Sequence, residues 1–400
     1  MFEGLVGGML LGTVTSQMLL DLCLVLSWFY LLYRKFGPGK NSAPTAPFFQ
    51  LIGIEWAVLG YLVIAVLSLA LNAPEPKPWF YALRKFTWIA DLYLMTWLFS
   101  NARIKARSAL IFFCMAFLLP NLYAIYGFIA GVDPITGNQV LRIVGLVNSA
   151  TYHAHGNGAV LVFFLTLLTL FTPQLPRRLQ FGAWTAMLLM SISLLLTYTR
   201  GIWISVTIAS LFLFLSLGRR YAMIGISVVM GGVLTLFALL PSIQNRVIDT
   251  FNVAHGDQVR KNLYKVFWEM IKDHPLIGIG YWDQYRQIET YWPRIGLPAN
   301  YFTSHAHNQY LNVLGTTGVL GLFFFLSIVI YFLSLNISLY RKSTGFAKRA
   351  FLLALLVVQI EYYVACVTDV TFEYAKLRAI MLLTWAFLIA IRRDRVVLES

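Results

Sequence analysis

The sequence predicts an all-α, polytopic transmembrane helix bundle of 11–12 spans with one large helical extramembrane loop. Three observations predict it. The 400 residues are 59% hydrophobic and 12% charged, where a soluble domain is about a quarter charged. Apolar runs recur, each near the ~20 residues needed to cross hydrocarbon. Lys and Arg sort into alternate loops, as the positive-inside rule demands.

The apolar runs fall at 5–33, 48–71, 86–100, 108–132, 158–172, 182–198, 201–217, 221–240, 307–340, 346–366 and 374–391. The first is long for one span and short for two, which leaves the count at eleven or twelve. Glu3 stands where a cleavable signal would carry a basic start, so this run reads as a span. One set of loops holds Arg34, Lys35, Arg103, Arg107, Arg177, Arg219, Arg341, Arg349, Arg392 and their basic neighbours. The short loops of the other set, 72–85, 133–157 and 199–200, hold only Lys77, Arg84, Lys85, Arg142 and Arg200. The first set is therefore expected in the cytoplasm, and segment 241–306 faces the periplasm. The net charge of +14 is mostly topology, and no nucleic-acid partner is expected.

Three parts follow: transmembrane helices over 1–240, a periplasmic lobe over 241–306, and C-terminal transmembrane helices over 307–400. In the lobe Val259, Leu263, Val266, Phe267 and Met270 recur at helical spacing, so Val259 to Asp273 reads as an amphipathic helix. Pro275 and Gly278-Ile279-Gly280 end it. The cysteines Cys23, Cys114 and Cys366 are scattered through apolar runs and form no Cys-x-x-Cys pair.

Polar islands mark the chemistry. Ser304-His305-Ala306-His307-Asn308-Gln309 lies at the lip of a span, where ionisable groups are costly and functional by default. A neutral imidazole can take a proton from a hydroxyl. Two residues apart, the histidines would point about 200° apart on a helix. Helical phase favours His305, unless the helix starts only at Asn308, so the choice of base stays open between His305 and His307. A second island carries Arg142 and His153-Ala154-His155, in a wet loop or lining a cavity. The third, Thr199-Arg200-Gly201, separates two apolar runs. An outward Arg200 suits an anionic phosphate, held by a bidentate fork, but equally suits a snorkelling interfacial role.

Some patterns are missing. The two His-x-His pairs have neither thiolates nor HExxH, so no metal is expected. No Walker loop and no Asp-x-Asp occurs, so neither ATP nor a metal-held nucleotide sugar is expected. No cofactor is called for. Gly315, Gly318 and Gly321 suit close helix packing.

From His307 the pattern continues with Asn308, nine residues, Gly318, two residues and Gly321. Together with Arg200-Gly201 and the run Arg260 … Asp273-His274-Pro275-Leu276-Ile277-Gly278-Ile279-Gly280, this resembles the bacterial O-antigen ligases (WaaL-type) of the O-antigen ligase/polymerase superfamily. One departure concerns the arginine that precedes a leucine by four residues in ligases. Arg200 is followed at that place by Ile204, whereas Arg142 has Leu146.

The resemblance implies a GT-C-like membrane glycosyltransferase of the inner membrane. Its donor would be a glycan on undecaprenyl pyrophosphate, its acceptor the lipid A–core of lipopolysaccharide, and both would reach it among membrane lipids. It implies His307 and Arg200 as catalytic residues. Arg260, Arg142, Arg286, His305, Asn308 and His155 would bind pyrophosphate or glycan. A polymerase or a protein O-oligosaccharyltransferase of the same superfamily is the near alternative. A lipid-linked sugar flippase is the distant one, expected to show symmetric halves and mid-span polar residues, which this chain lacks.

Overall fold

The computed structural model describes residues 4–5, 8–9, 17–36, 50–72, 76–101, 103–134, 137–140, 142–147, 149–239, 244, 258–393 and 397–399. The helices run α1 Gln17–Phe36, α2 Glu55–Asn72, α3 Pro76–Lys85, α4 Thr87–Asn101, α5 Ala106–Ala130, α6 Ala150–Phe171 and α7 Arg177–Leu195. They continue as α8 Arg200–Ser216, α9 Arg219–Leu239, α10 Gln258–Asp273, α11 Gln284–Tyr291, α12 Gln309–Lys342, α13 Phe346–Ala365 and α14 Ala375–Arg392. Two three-residue strands, Arg103–Lys105 and Val397–Glu399, pair in parallel near one end of the bundle. Otherwise the chain is an all-α polytopic membrane protein. Glu55–Asn72, Ala150–Gln174, Arg177–Leu195 and Gln309–Lys342 are long and apolar enough to cross a membrane. The expected boundary at 241 falls outside the described residues, as does most of the stretch to 257.

The core joins α4 to α14, α2 to α12, and α13 to α6 and α8. Apolar side chains fill it: Phe332 stacks on Trp385 at 4.4 Å and Phe99 meets Phe387 edge-on at 5.1 Å. Polar pairs lock helix positions, as expected where lipid offers no partner. Asn121 and Asn157 exchange amide hydrogen bonds of 3.0 and 2.7 Å. Ser205 donates to the buried Glu361 carboxylate at 2.7 Å.

Gly315 packs closely against Phe267 of α10, the helix packing that its spacing suggests, whereas Gly318 serves a different contact. Inside α12, Gly318 leaves helical geometry (φ 67°, ψ −172°). The N–H groups of Val319 and Leu320 abandon their own turn and donate to Pro275 and Leu276 of the lobe, at 2.8 and 3.2 Å. The carbonyls of Gly315 and Thr316, freed by that shift, accept from Ile279 and Gly280 at 3.0 and 3.2 Å. Ser68 also donates to Thr316 O at 2.8 Å, and Asn72 to Gly278 O at 3.1 Å. The break in a membrane helix is thus satisfied by protein backbone, the condition under which such breaks persist. Segment 275–280 therefore packs backbone to backbone on α12.

The contact is backbone on backbone. A Cβ at Gly318 would lie 2.2 Å from Leu276 C, and one at Gly278 would lie 2.2 Å from Thr316 C. Neither atom can swing aside. A left-handed alanine alone costs roughly 1–2 kcal/mol, so Gly318→Ala should cost ~3 kcal/mol or more. At Gly321 the added Cβ meets Oγ1 and Cβ of Thr317, side-chain atoms of the same helix and not the backbone of another segment, and no left-handed φ adds to the cost, so Gly321→Ala should be milder. Thermal melting of the two purified variants tests the order.

Candidate functional site

The site forms where the lobe returns to the bundle. Asn308 is the N-cap of α12, extended at φ −159°, and its side chain accepts from Leu311 N at 3.0 Å. Such caps satisfy an otherwise orphaned helix donor. The helix thus begins after the two histidines, and helical phase says nothing about them. His307 occupies the left-handed region at φ 49°, a strained conformation for a side chain of its size.

His305 holds it there. The His307 backbone N–H donates to His305 Nδ1 at 3.2 Å. That nitrogen must be unprotonated, so the neutral ring carries its proton on Nε2, which lies 2.6 Å from Tyr374 Oη. The tautomer follows from the partners. Burial lowers the His305 pKa to about 4, helped by the charges of His307 and Arg260 and opposed by Asp369. Both nitrogens of His305 are thus engaged. His307 keeps 27% of its side chain exposed, with Nδ1 3.5 Å from Asp369 Oδ1.

Asp369 lies in the turn between α13 and α14, only 6% exposed. Burial alone would raise its pKa, but the contact with His307 and the neighbouring His155 and His305 hold it well below the usual carboxylate range. Val370 N donates to the same oxygen at 2.8 Å. An ionised carboxylate thus faces one edge of the His307 ring and leaves Nε2 as the outward nitrogen. The turn is fixed to α12 by Gln309 N donating to Cys366 O (2.8 Å) and Phe372 N donating to Gln309 Oε1 (2.9 Å).

Arg200 is the first residue of α8 and half-buried. Its neighbour Gly201 explains how it comes close. A Cβ there would lie 2.1 Å from Thr368 Oγ1, so the missing side chain lets the Arg200 turn rest against the residue before Asp369. The turn itself places Tyr198 at φ 53°. Ile143 N donates to Leu196 O at 3.0 Å, which brings the exposed Arg142 alongside. Arg260, on α10, acts electrostatically on both His155 and His305. The three polar islands therefore converge on Asp369.

Arg286 is committed within the lobe. Its guanidinium forks onto Asp283 at 3.0 and 2.6 Å and reaches Asn72 O at 3.3 Å. His153 and His155 lie inside α6, where a wet loop had been one expectation. Ser149 caps that helix, so it starts ahead of the apolar run that betrays it. His153 contacts Ser193 Oγ at 2.9 Å. His155 Nδ1 donates to Thr151 O at 2.8 Å, and its buried Nε2 meets no partner among the described residues.

Asp369 and Tyr374 escaped the sequence reading, which passed over the turn at 366–374. One signal was available. Charged residues are scarce in this chain, and Asp369 and Glu373 both sit in a short outward turn.

The ligand atoms of His305, His307 and Asp369 all lie within 4.8 Å of one another, a donor set of the kind that holds metals. The bonding disfavours it. The His305 Nδ1 lone pair is already taken by the His307 N–H, and Nε2 bears the proton shared with Tyr374. An ion would have to displace one of them.

A histidine paired with a carboxylate, near arginine-bearing turns of a membrane bundle, has the parts to move a proton beside an anionic group. Residues 185–326 match the protein family described as O-antigen ligase. That part of the chain is similar to the O-antigen ligase family, and the similarity suggests a glycosyltransferase-like enzyme of the ligase/polymerase kind. The match spans Arg200, Arg260, His305 and His307, and ends before Asp369. A search of curated proteins finds no match.

Proposed function

We propose that the protein transfers O-antigen from undecaprenyl pyrophosphate to a sugar hydroxyl of lipid A–core lipopolysaccharide, at the periplasmic face of the inner membrane, without metal and with inversion. The observation that supports this most is the His307–Asp369 pair beside two arginines of separate helices. His307 Nε2 takes the proton of the acceptor hydroxyl. The acceptor oxygen attacks the anomeric carbon, and the bond from that carbon to the pyrophosphate oxygen breaks. Asp369 stabilises the imidazolium that forms, the role a carboxylate plays beside a general-base histidine. Arg200 and Arg260 bind the departing pyrophosphate, whose developing charge is where fixed cations act most strongly. Arg142 joins them from the exposed side. His305, held by Tyr374, positions the His307 backbone, and His155, buried in α6, acts electrostatically on Asp369. Arg286 and Asn308 act by holding the lobe and the start of α12.

Lipopolysaccharide gels of a deletion strain test the acceptor. Loss of all O-antigen with a free lipid-linked polymer means ligation. Retention of a single repeat unit means polymerisation and overturns the lipid A–core acceptor. Purified enzyme treated with a strong chelator should keep its full rate. Loss that zinc or magnesium restores would make His305, His307 and Asp369 ligands.

A further inference from the structure

The proposed reaction uses Arg142 and Arg200 and leaves Lys85, the last residue of α3, without a part. Lys85 is nevertheless half-buried, a costly place for an ammonium. Its Nζ donates to the carbonyl of Glu373 and lies over the Trp282 ring, 3.9 Å from the ring centre. One contact is with the turn that carries Asp369 and Tyr374, and the other is with the lobe. We propose that Lys85 is a positioning residue, which clamps that turn to the lobe and so holds the His307–Asp369 pair in register. The proposal rests on the role given to that pair in transfer.

A line of contacts runs from Lys85 to His307. Tyr374 follows Glu373 directly, and its hydroxyl lies 2.6 Å from His305 Nε2. His305 in turn accepts from the His307 backbone at 3.2 Å. Asp369, earlier in the same turn, faces the His307 ring at 3.5 Å. A shift of the Glu373 carbonyl therefore reaches both the backbone and the ring of His307. On the lobe side, Phe86, next to Lys85, stacks on Tyr281 at 5.0 Å. Trp282 itself holds φ 69°, a strained conformation that persists only where the surroundings impose it. The ammonium on its ring face is one such contact, attractive in its own right.

The charges around the ammonium suit a contact that can be released. Burial, with repulsion from Arg378 of α14 and Arg84 of α3, pushes the Lys85 pKa down to about 8, and the Glu373 carboxylate opposes the fall. Glu373 is itself buried, and Arg378 also donates to Phe372 O at 3.2 Å, so the turn is gripped from α14 as well. A buried ion pair adds little net stability, and its best-attested use is to fix one register. Lysine gives up this grip when it loses its proton, which arginine does not.

Transfer by the full chain in nanodiscs tests the clamp. Lys85→Met keeps the apolar stem and removes the charge. It should lower kcat roughly ten- to a hundredfold, the cost of a small misplacement of the reacting groups. KM for donor and acceptor should stay within about threefold, because the interaction lost is with neither substrate. Lys85→Arg keeps the charge and should recover most of the rate. The pH profile supplies a reading that a purely structural lysine would not move. In unsubstituted protein kcat should fall as pH rises through about 8, where the ammonium loses its proton. Lys85→Arg should lose that fall, since a guanidinium stays charged. Trp282→Leu removes the ring that favours the charged form, and should move the fall to lower pH. Unchanged kcat in Lys85→Met overturns the clamp, as does a rise in KM alone. Should Lys85→Met fail to fold, the other two variants decide, and one pH profile shared by both and by unsubstituted protein overturns the clamp. Failure of the unsubstituted protein to transfer counts against the proposed reaction instead.

Discussion

His307→Ala should lower the transfer rate by about 10²–10⁴-fold, the usual range for a positioned general base, while the protein stays folded and still binds its lipid donor. The expectation comes from how the two histidines divide the work. His305 has spent both ring nitrogens, on the His307 backbone and on Tyr374. His307 has Asp369 behind it and an outward nitrogen to offer. Asp369→Asn keeps the shape and removes the charge, and should approach the loss seen for His307→Ala. His305→Ala releases the strained φ of His307 and should cost less. Single-turnover transfer in reconstituted membranes reads all three. A His307→Ala enzyme within threefold of the unsubstituted rate would remove it as the base, and a greater loss at His305 would reverse the assignment.

Arg200→Lys should be severely impaired although it keeps the charge. A guanidinium holds two phosphate oxygens with one planar fork, which an ammonium cannot do. A donor aimed at developing charge supplies roughly 3–4 kcal/mol, or about 10²–10³ in rate, and most of that should go in Arg200→Lys as well as in Arg200→Ala. An anchoring arginine at the interface would tolerate lysine. Near-normal transfer by Arg200→Lys at matched expression would leave Arg200 with the anchoring role only. Gly201 supplies a further check, because a side chain there must push Thr368 aside and with it the Asp369 turn.

Much of this was legible in the residues. Apolar length marked the four helices long and apolar enough to cross a membrane among the described residues; the period of Val259, Leu263, Val266, Phe267 and Met270 marked α10, and all of these but the exposed Val259 lie on its buried face. The break after Asp273 was written in Pro275 and Gly278. Other features hide from local pattern. Gly318 read as helix packing because its true partner, the 275–280 loop, is set by tertiary contact that no spacing encodes. Asp369 is 62 residues from His307, and a lone carboxylate in a short turn has no periodicity to reveal it. The choice between His305 and His307 needed the helix start at Asn308 and two hydrogen bonds. Arg286 looked like another phosphate ligand until Asp283, three residues before it, took its fork.

The break at Gly318 also gives assembly an order. Two carbonyls and two amides of α12 have their partners in a segment made earlier in the chain, within the lobe itself. If α12 entered lipid alone, it would have to close into a continuous helix through a glycine or expose those four groups to hydrocarbon, at several kcal/mol each. The lobe must therefore be in place before α12 is seated in its final form; on the proposed topology this means that its export comes first. His307, the proposed base two residues before α12, takes its place only once the lobe is seated, so on that reading a half-inserted chain is also an inactive one.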